Sequence, residues 1–197
     1  QQDSIISIDK NEADYVVLNY KNEVPEINQR NNWYNLNKSA WLNKPIAFTL
    51  FKDLENPARN QIMYNPSAIY NLYDGISPGI RFHNKSMLDK PFNFDFTPTY
   101  STKTQSLIGN FSLAINDYNR DSNLFHVKYF VYGTYMHYAP DAAYLKINPT
   151  VIFRFRPEDR RSNKSETLMA RQVMVFLEPS QYNLSFNNNN EDYSIFN

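Results

Sequence analysis

From about residue 60 onward the chain alternates between apolar and polar side chains, which predicts an all-β fold built as an antiparallel meander. Two further observations support this fold class. Aromatic residues make up 16% of the chain although the mean hydropathy is only −0.63, and Asp74-Gly75 is a strong signal for a two-residue hairpin turn. Such a composition fits a transmembrane β-barrel, whose polar lumen face and apolar lipid face average to a mild hydropathy. It also fits a soluble β-sandwich.

The alternation defines the predicted strands in chain order. Residues 61–73 and 76–83 flank the Asp74-Gly75 turn and each carry apolar side chains at every second position. Residues 92–101 form the clearest strand, because phenylalanine, proline and tyrosine alternate strictly with polar residues. Further strands are predicted at 107–116, 125–135, 145–156 and 167–177, with a strand cut short at 193–197. A helix capped at Asn163 competes for the segment before Leu177, and we favour the strand.

The chain is expected to have two parts. Residues 1–60 are predicted to be a mixed N-terminal or linker segment with short strands at 15–20 and 46–51. Residues 61–197 are predicted to be the β-barrel segment. About seven strands and a stub fall short of the eight or so that the smallest closed barrels contain, so we expect this segment to be truncated.

Composition excludes several function classes. The 20 basic and 20 acidic residues cancel, so there is no basic stripe of the kind that nucleic-acid binding requires. The absence of cysteine excludes disulfides, thiolate chemistry and cysteine-ligated zinc. Four glycines leave no glycine-rich phosphate loop, and no apolar run is long enough for a transmembrane helix.

Periodicity alone leaves barrel and sandwich open. Several predicted strands run 10–14 residues, which is longer than the usual soluble strand and suits a tilted membrane strand of about 9–11 residues. The short connections match an up-and-down meander, whereas sandwiches often use Greek-key crossings. Prolines within the strands count mildly against central pairing.

Four stretches of the sequence resemble outer-membrane proteins of Bacteroidota. They are Trp41–Pro45, Phe51–Glu55, Tyr70–Lys85 and His137–Tyr144. Together they resemble the C-terminal region of large gluzincin (M1-type) metallopeptidase-like proteins, in which an outer-membrane β-barrel follows a peptidase-like part. The gluzincin signature His-Glu-x-x-His is absent here, so no catalytic residue of that family has a matching position.

The resemblance implies a non-catalytic portion of a bacterial outer-membrane β-barrel that anchors or scaffolds a larger metallopeptidase-like protein or membrane complex. Its partners would be outer-membrane lipid and other outer-membrane proteins. One alternative is a soluble β-sandwich, secreted or at the cell surface, that binds glycan or protein through exposed tyrosine and asparagine. A weaker alternative is a pore or transporter.

No catalytic, cofactor-binding or metal-binding residues are predicted. The chain has three histidines; His126 and His137 are eleven residues apart, so on one regular strand they would face opposite sides. The one constellation above background is a candidate basic face of the lumen. Its members are Lys128, Lys146, Arg154 and Arg156. It could bias a lumen toward anions, but we favour the simpler interpretation that these side chains pair across strands with carboxylates such as Asp95.

Overall fold

A computed structural model of the chain is all-β, as the alternation predicts. The structure describes every residue except 1–4, 6, 8, 10–12, 22, 27, 37–43, 52–54, 57, 88, 89, 120, 158, 160 and 183–191. Parts of two stretches that carry the family resemblance, 41–43 and 52–54, therefore lie outside the described residues. The chain divides into two compact units, one comprising 1–49 with 53–62 and the other comprising 50–52 with 63–197.

The first unit contains a small antiparallel sheet. Its strands are β1 (Tyr15–Val17) and β2 (Trp33–Asn35), paired so that Val16 lies opposite Tyr34. A 3-10 turn at Arg30–Asn32 leads into β2. The polar composition of residues 28–37 concealed β2 at the level of sequence, because only the aromatic pair at 33–34 marks it.

Within the described residues, the large sheet has nine strands whose spatial order follows the chain. They are β3 (Ile46–Leu50), β4 (Asn60–Asn71), β5 (Gly75–His83), β6 (Phe92–Tyr100), β7 (Leu107–Tyr118), β8 (Leu124–Ala139), β9 (Ala142–Phe155), β10 (Glu166–Leu177) and β11 (Tyr193–Phe196). The strand prediction for 167–177 is confirmed, and the competing helix does not form. The predicted strands from 61 onward correspond to β4 to β11.

Most of the sheet is the predicted antiparallel meander. Every described register from β4 to β11 is antiparallel. The edge strand β3 differs: the Asn60 N–H donates to the Pro45 carbonyl and the Phe51 N–H donates to the Tyr64 carbonyl. These bonds advance in the same direction along both strands, which is the parallel pattern. The sheet is therefore mixed at one edge.

The connections between strands differ at the two ends of the sheet. At one end, the turn end, the connections are 72–74, 101–106 and 140–141, followed by the longer 178–192. At the other, the loop end, they are 84–91, 119–123 and 156–165. The prediction of a two-residue Asp74-Gly75 turn was wrong by one residue, because Asn71 pairs with Gly75 and the turn spans Leu72–Asp74. Gly75 has a φ of +69°, the left-handed conformation that closes a three-residue hairpin.

Two glycines mark places where neighbouring strands approach closely. A Cβ at Gly109, whose φ is +150°, would lie 2.1 Å from the Thr97 carbonyl oxygen. A Cβ at Gly133 would instead meet the ring of Phe111, its partner across β7 and β8. A backbone carbonyl in a sheet cannot move aside, whereas an aromatic ring can rotate.

We expect Gly109→Ala to lower the free energy of unfolding by about 2–3 kcal/mol, because it adds backbone strain and a clash with backbone. Gly133→Ala is the matched control and should cost less, since only a side chain must shift. Urea unfolding of both variants, followed by tyrosine fluorescence, measures the difference. Equal losses at the two positions would contradict this account of Gly109.

Candidate functional site

The two faces of the large sheet differ sharply in exposure. On the apolar face, Tyr70 and Leu107 are 71% and 70% exposed. On the polar face, Thr99 is 1% exposed and Ser77 is fully buried. The apolar face comprises the exposed side chains of Tyr70, Ile76, Ile80, Phe92, Phe96, Tyr100, Leu107, Leu113, Ile115, Tyr129, Leu168 and Phe176. The polar face comprises the buried side chains of Ser77, His83, Thr97, Thr99, Asn116, His126, Thr134 and Thr150.

The strand register makes each face continuous. Phe94 lies opposite Leu113, which lies opposite Val131, so one apolar row crosses three strands. The residues next to these form a row on the polar face: Asp95 lies opposite Ser112, which lies opposite Tyr132. In water, a sheet with one apolar and one polar face usually buries its apolar side chains and exposes its polar ones. This sheet does the reverse.

Each face carries a groove. The polar groove, of about 430 Å³, lies on the polar face and is lined by residues from β4 through β8. The apolar groove, of about 470 Å³, lies on the apolar face and is lined by residues from β6 through β11, including Phe92, Val151 and Phe196. In a flat sheet β4 and β8 would be about 19 Å apart. Residues of both strands line the polar groove, which indicates that the sheet curls toward the polar face there.

The four residues of the predicted basic face do not form one cluster. Register places Lys128 opposite Ile152 and Arg154 opposite His126, near the loop end. Lys146 lies opposite Thr134, and its position on β9 is six residues, or about 20 Å, from Ile152. All three share the polar face. Arg156 follows β9 at the loop end, where its guanidinium carbon lies 5.7 Å from the centre of the Phe125 ring.

The cross-strand pairing expected for these cations involves other residues. Within the described part of the chain, Asp95 forms ion pairs with Arg81 and Lys85, and no ion pair joins it to Lys128, Lys146 or Arg154. The Arg81 Nε donates to Asp95 Oδ1 at 2.8 Å, and its Nη2 donates to Oδ2. The alternation places both residues at polar positions of neighbouring strands, and the strand register, with His83 opposite Asp95, brings Arg81 within reach of the carboxylate.

An aromatic girdle at a membrane interface would require exposed tyrosines near strand ends. Tyr100 lies on the apolar face and is exposed. Tyr118 instead stacks on His126, with ring centres 4.3 Å apart, and the Tyr138 hydroxyl donates to the Glu178 carbonyl. Of these three, Tyr100 alone has the position that a girdle requires.

A buried carboxylate at the turn end joins parts of the sheet that are distant in sequence. Asp74 is fully buried and accepts hydrogen bonds from Asn71 Nδ2 at 3.0 Å, from Thr104 Oγ1 at 3.1 Å and from the His137 N–H at 3.0 Å. His137 Nδ1 lies 2.6 Å from Asp74 Oδ1. The Ser101 hydroxyl donates to the Asp74 carbonyl at 2.9 Å. We call these five residues the Asp74 cluster.

The Asp74 cluster also depends on curvature. It connects the β4–β5 turn, the β6–β7 turn and the end of β8. In a flat sheet β5 and β8 would be about 14 Å apart, too far for direct hydrogen bonds. In the sequence Asp74 is recognisable only as a turn residue, because no local pattern reveals its contact with His137, 63 residues away.

The environment of Asp74 favours its charged form. Burial alone would raise the pKa of Asp74, but the His137 N–H, the nearby imidazole and the Thr104 hydroxyl lower it below its ordinary value. A carboxyl with a lowered pKa stabilises the fold above its unfolded-state pKa of about 3.9, and that stabilisation is lost as the pH falls through the folded-state value.

The three histidines occupy different surroundings. His83 and His126 are buried on the polar face, and His126 Nε2 lies 3.1 Å from Asn116 Oδ1. His137 belongs to the Asp74 cluster, eleven residues and about 36 Å along β8 from His126. Among the described residues, no group of three or more histidine, aspartate or glutamate side chains has the geometry to hold a metal.

Comparison with known proteins gives no match to a family model, to a curated protein or to a solved structure. The portion of the chain that the structure describes contains no helix with the length and hydropathy needed to span a membrane.

We expect Asp74→Asn to lower the free energy of unfolding at pH 7 by about 1–3 kcal/mol, because a buried charged acceptor is lost from its donors. The loss should shrink as the pH falls below about 4, where the native carboxyl also becomes protonated. Urea unfolding at pH 7, 5 and 3 measures this dependence. Asp117→Asn is the control, since Asp117 is exposed at the end of β7. A loss that stays constant with pH would contradict the role of the charge.

Proposed function

We propose that the large sheet is part of an outer-membrane β-barrel whose apolar face meets lipid and whose polar face lines the interior. The observation that carries this proposal is the reversed burial, with large apolar side chains exposed and hydroxyl and amide side chains buried. An aqueous fold that exposed this many aromatic and aliphatic side chains on one face would present an aggregation-prone surface. A bilayer removes that penalty, because hydrocarbon replaces water against the apolar face.

Strand and connection lengths support the same proposal. The strands from β4 to β10 run from 9 to 16 residues, enough for a tilted crossing that needs about 9–11. Outer-membrane barrels have short turns on the periplasmic side and longer loops outside. The turns 72–74 and 140–141, compared with the loops 84–91 and 156–165, follow that asymmetry. The connection 178–192 does not, and the turn 101–106 is one residue longer than the loop 119–123.

The role that we propose is non-catalytic. The resemblance to the C-terminal region of Bacteroidota gluzincin-like proteins suggests a barrel that anchors or scaffolds a metallopeptidase-like part or a complex in the cell envelope. The hairpin that carries the longest resembling stretch, Tyr70–Lys85, forms β4 and β5 and holds Asp74 in its turn. In this proposal, the role of the stretch is structural: it closes the turn end of the sheet.

A second candidate is a soluble sheet protein, secreted or at the cell surface, whose apolar face is covered by protein. The apolar groove between β6 and β11 favours it, because a second sheet or a partner could fill such a groove. The two candidates differ in what touches the apolar face: lipid in the first, protein in the second. Experiments on that face can therefore separate them.

A matched pair of arginine substitutions on β7 tests which face meets lipid. Leu113 is on the apolar face, and Ser112 beside it lines the polar groove, where an arginine has room near Asp95. Leu113→Arg should impair assembly into membranes, at a cost of about 2–4 kcal/mol near the bilayer midplane. Ser112→Arg should assemble nearly as well as the unchanged protein. Heat-modifiable migration of membrane fractions on gels measures assembly.

Equal assembly of the two arginine variants would contradict a lipid-facing Leu113. Greater damage from Ser112→Arg than from Leu113→Arg would reverse the proposed faces.

Cysteine labelling distinguishes lipid from protein against the apolar face, since the chain has no cysteine of its own. Val151→Cys and Phe153→Cys place thiols on the apolar face of β9, and Asn148→Cys places one on the polar face. In carbonate-washed membranes, we expect fluorophores at 151 and 153 to be quenched by spin-labelled lipid and the fluorophore at 148 to be unaffected. Release by the carbonate wash, or no quenching at 151 and 153, would favour the soluble candidate.

A further inference from the structure

The polar groove has the size and composition of a small-molecule site. Its volume of about 430 Å³ falls within the usual range for ligand pockets, roughly 300–1,000 Å³. Five strands contribute to its walls, from Ser67 on β4 to Tyr132 on β8. Because these strands belong to one hydrogen-bonded sheet, the walls are rigid, which favours a preformed site.

The floor of the groove carries two cations and one carboxylate. Asp95 is mostly buried, with 13% of its side chain exposed, while Arg81 and Lys85 remain 39% and 46% exposed. Asp95 engages two of the five N–H donors of Arg81 and one of the three of Lys85. Within the described residues, the other donors of these two side chains have no protein acceptor. Arg81, Lys85 and Asp95 together carry a net charge of +1.

The walls of the groove offer hydroxyl and amide groups beside aromatic rings. The polar groups are Ser67, Thr97, Asn110, Ser112 and Tyr132, and the rings include Phe130. Hydroxyls both donate and accept hydrogen bonds, so they suit a ligand that itself carries hydroxyls. Aromatic rings provide an apolar surface for the C–H face of such a ligand.

We propose that the polar groove binds a sugar acid, that is, a small hydroxylated molecule bearing one carboxylate. The ligand carboxylate accepts hydrogen bonds from the remaining donors of Arg81 and Lys85 and neutralises the single positive charge. The ligand hydroxyls bond to the hydroxyl and amide groups on the walls, and its ring packs on Phe130. This site stands on the geometry of the groove and does not depend on which solvent meets the apolar face.

Lys85 is the most suitable residue to replace in a test of ligand binding to the polar groove. Lys85 lies in the 84–91 connection beyond β5, so its replacement leaves the Arg81–Asp95 pair and the strand register intact. Lys85→Gln removes the charge, and Lys85→Arg keeps it. Lys146→Gln is the matched control, because Lys146 shares the polar face but does not line the groove.

Saturation-transfer NMR on the full chain, folded in detergent, should detect D-glucuronate and give a dissociation constant in titration. We expect D-glucose, which lacks the carboxylate, to bind about tenfold more weakly, as the loss of a charge-assisted hydrogen bond predicts. Lys85→Gln should weaken glucuronate binding about fivefold or more, while Lys85→Arg and Lys146→Gln should leave it within twofold.

Three results would overturn the proposal. They are the absence of glucuronate binding to the unchanged chain, equal binding of glucose and glucuronate, and equal weakening by Lys85→Gln and Lys146→Gln. Urea midpoints that match the unchanged chain establish that each variant is folded. If Lys85→Gln is destabilised, Ser67→Phe, which fills the groove from β4, takes its place and must abolish binding.

Discussion

Alternation of polar and apolar side chains, strict along β6 and approximate along the other strands from β4 to β10, is the constraint on which the rest of this structure depends. A strand points successive side chains to opposite faces, so a sheet of such strands must have one polar and one apolar surface. The strand register then places apolar residues opposite apolar residues, as in the row of Phe94, Leu113 and Val131. Once the sheet curls toward its polar side, hydroxyl and amide groups become interior and need partners from the protein itself.

The Asp74 cluster shows how the interior meets that need at the turn end. One carboxylate accepts bonds from three segments that are adjacent only because the sheet is curved. Removing any donor would leave a buried charge with fewer partners, which is costlier than losing an exposed ion pair. The cluster therefore links the curvature of the sheet to the β4–β5 turn. That turn also sets the register of the β4–β5 hairpin.

The Arg81–Lys85–Asp95 group, toward the loop end of the polar face, satisfies buried polar groups in a different way. Two cations share one carboxylate, so the interior is left with a surplus of donors instead of a surplus of acceptors. The alternation in the sequence draws attention to a different set of cations, on β8 and β9 and just beyond β9. The structure spreads those residues from Lys146 to Arg156, over about 33 Å of strand, and the clustered charges lie on β5, on β6 and in the connection between them.

The amino-acid sequence alone is enough to identify the molecule as all-β, to locate its long strands and to show which residues share a face. These properties follow from local periodicity and turn chemistry, which operate over a few residues. Tertiary structure decided the parallel edge strand β3, the three-residue turn before Gly75, the partners of Asp74 and Asp95, and the burial of the polar face in place of the apolar one. The partners of Asp74 and Asp95 and the burial of the polar face depend on strand neighbours and sheet curvature. These bring together residues such as Arg81 and Asp95, 14 positions apart, and Asp74 and His137, 63 positions apart, and no local pattern encodes such contacts.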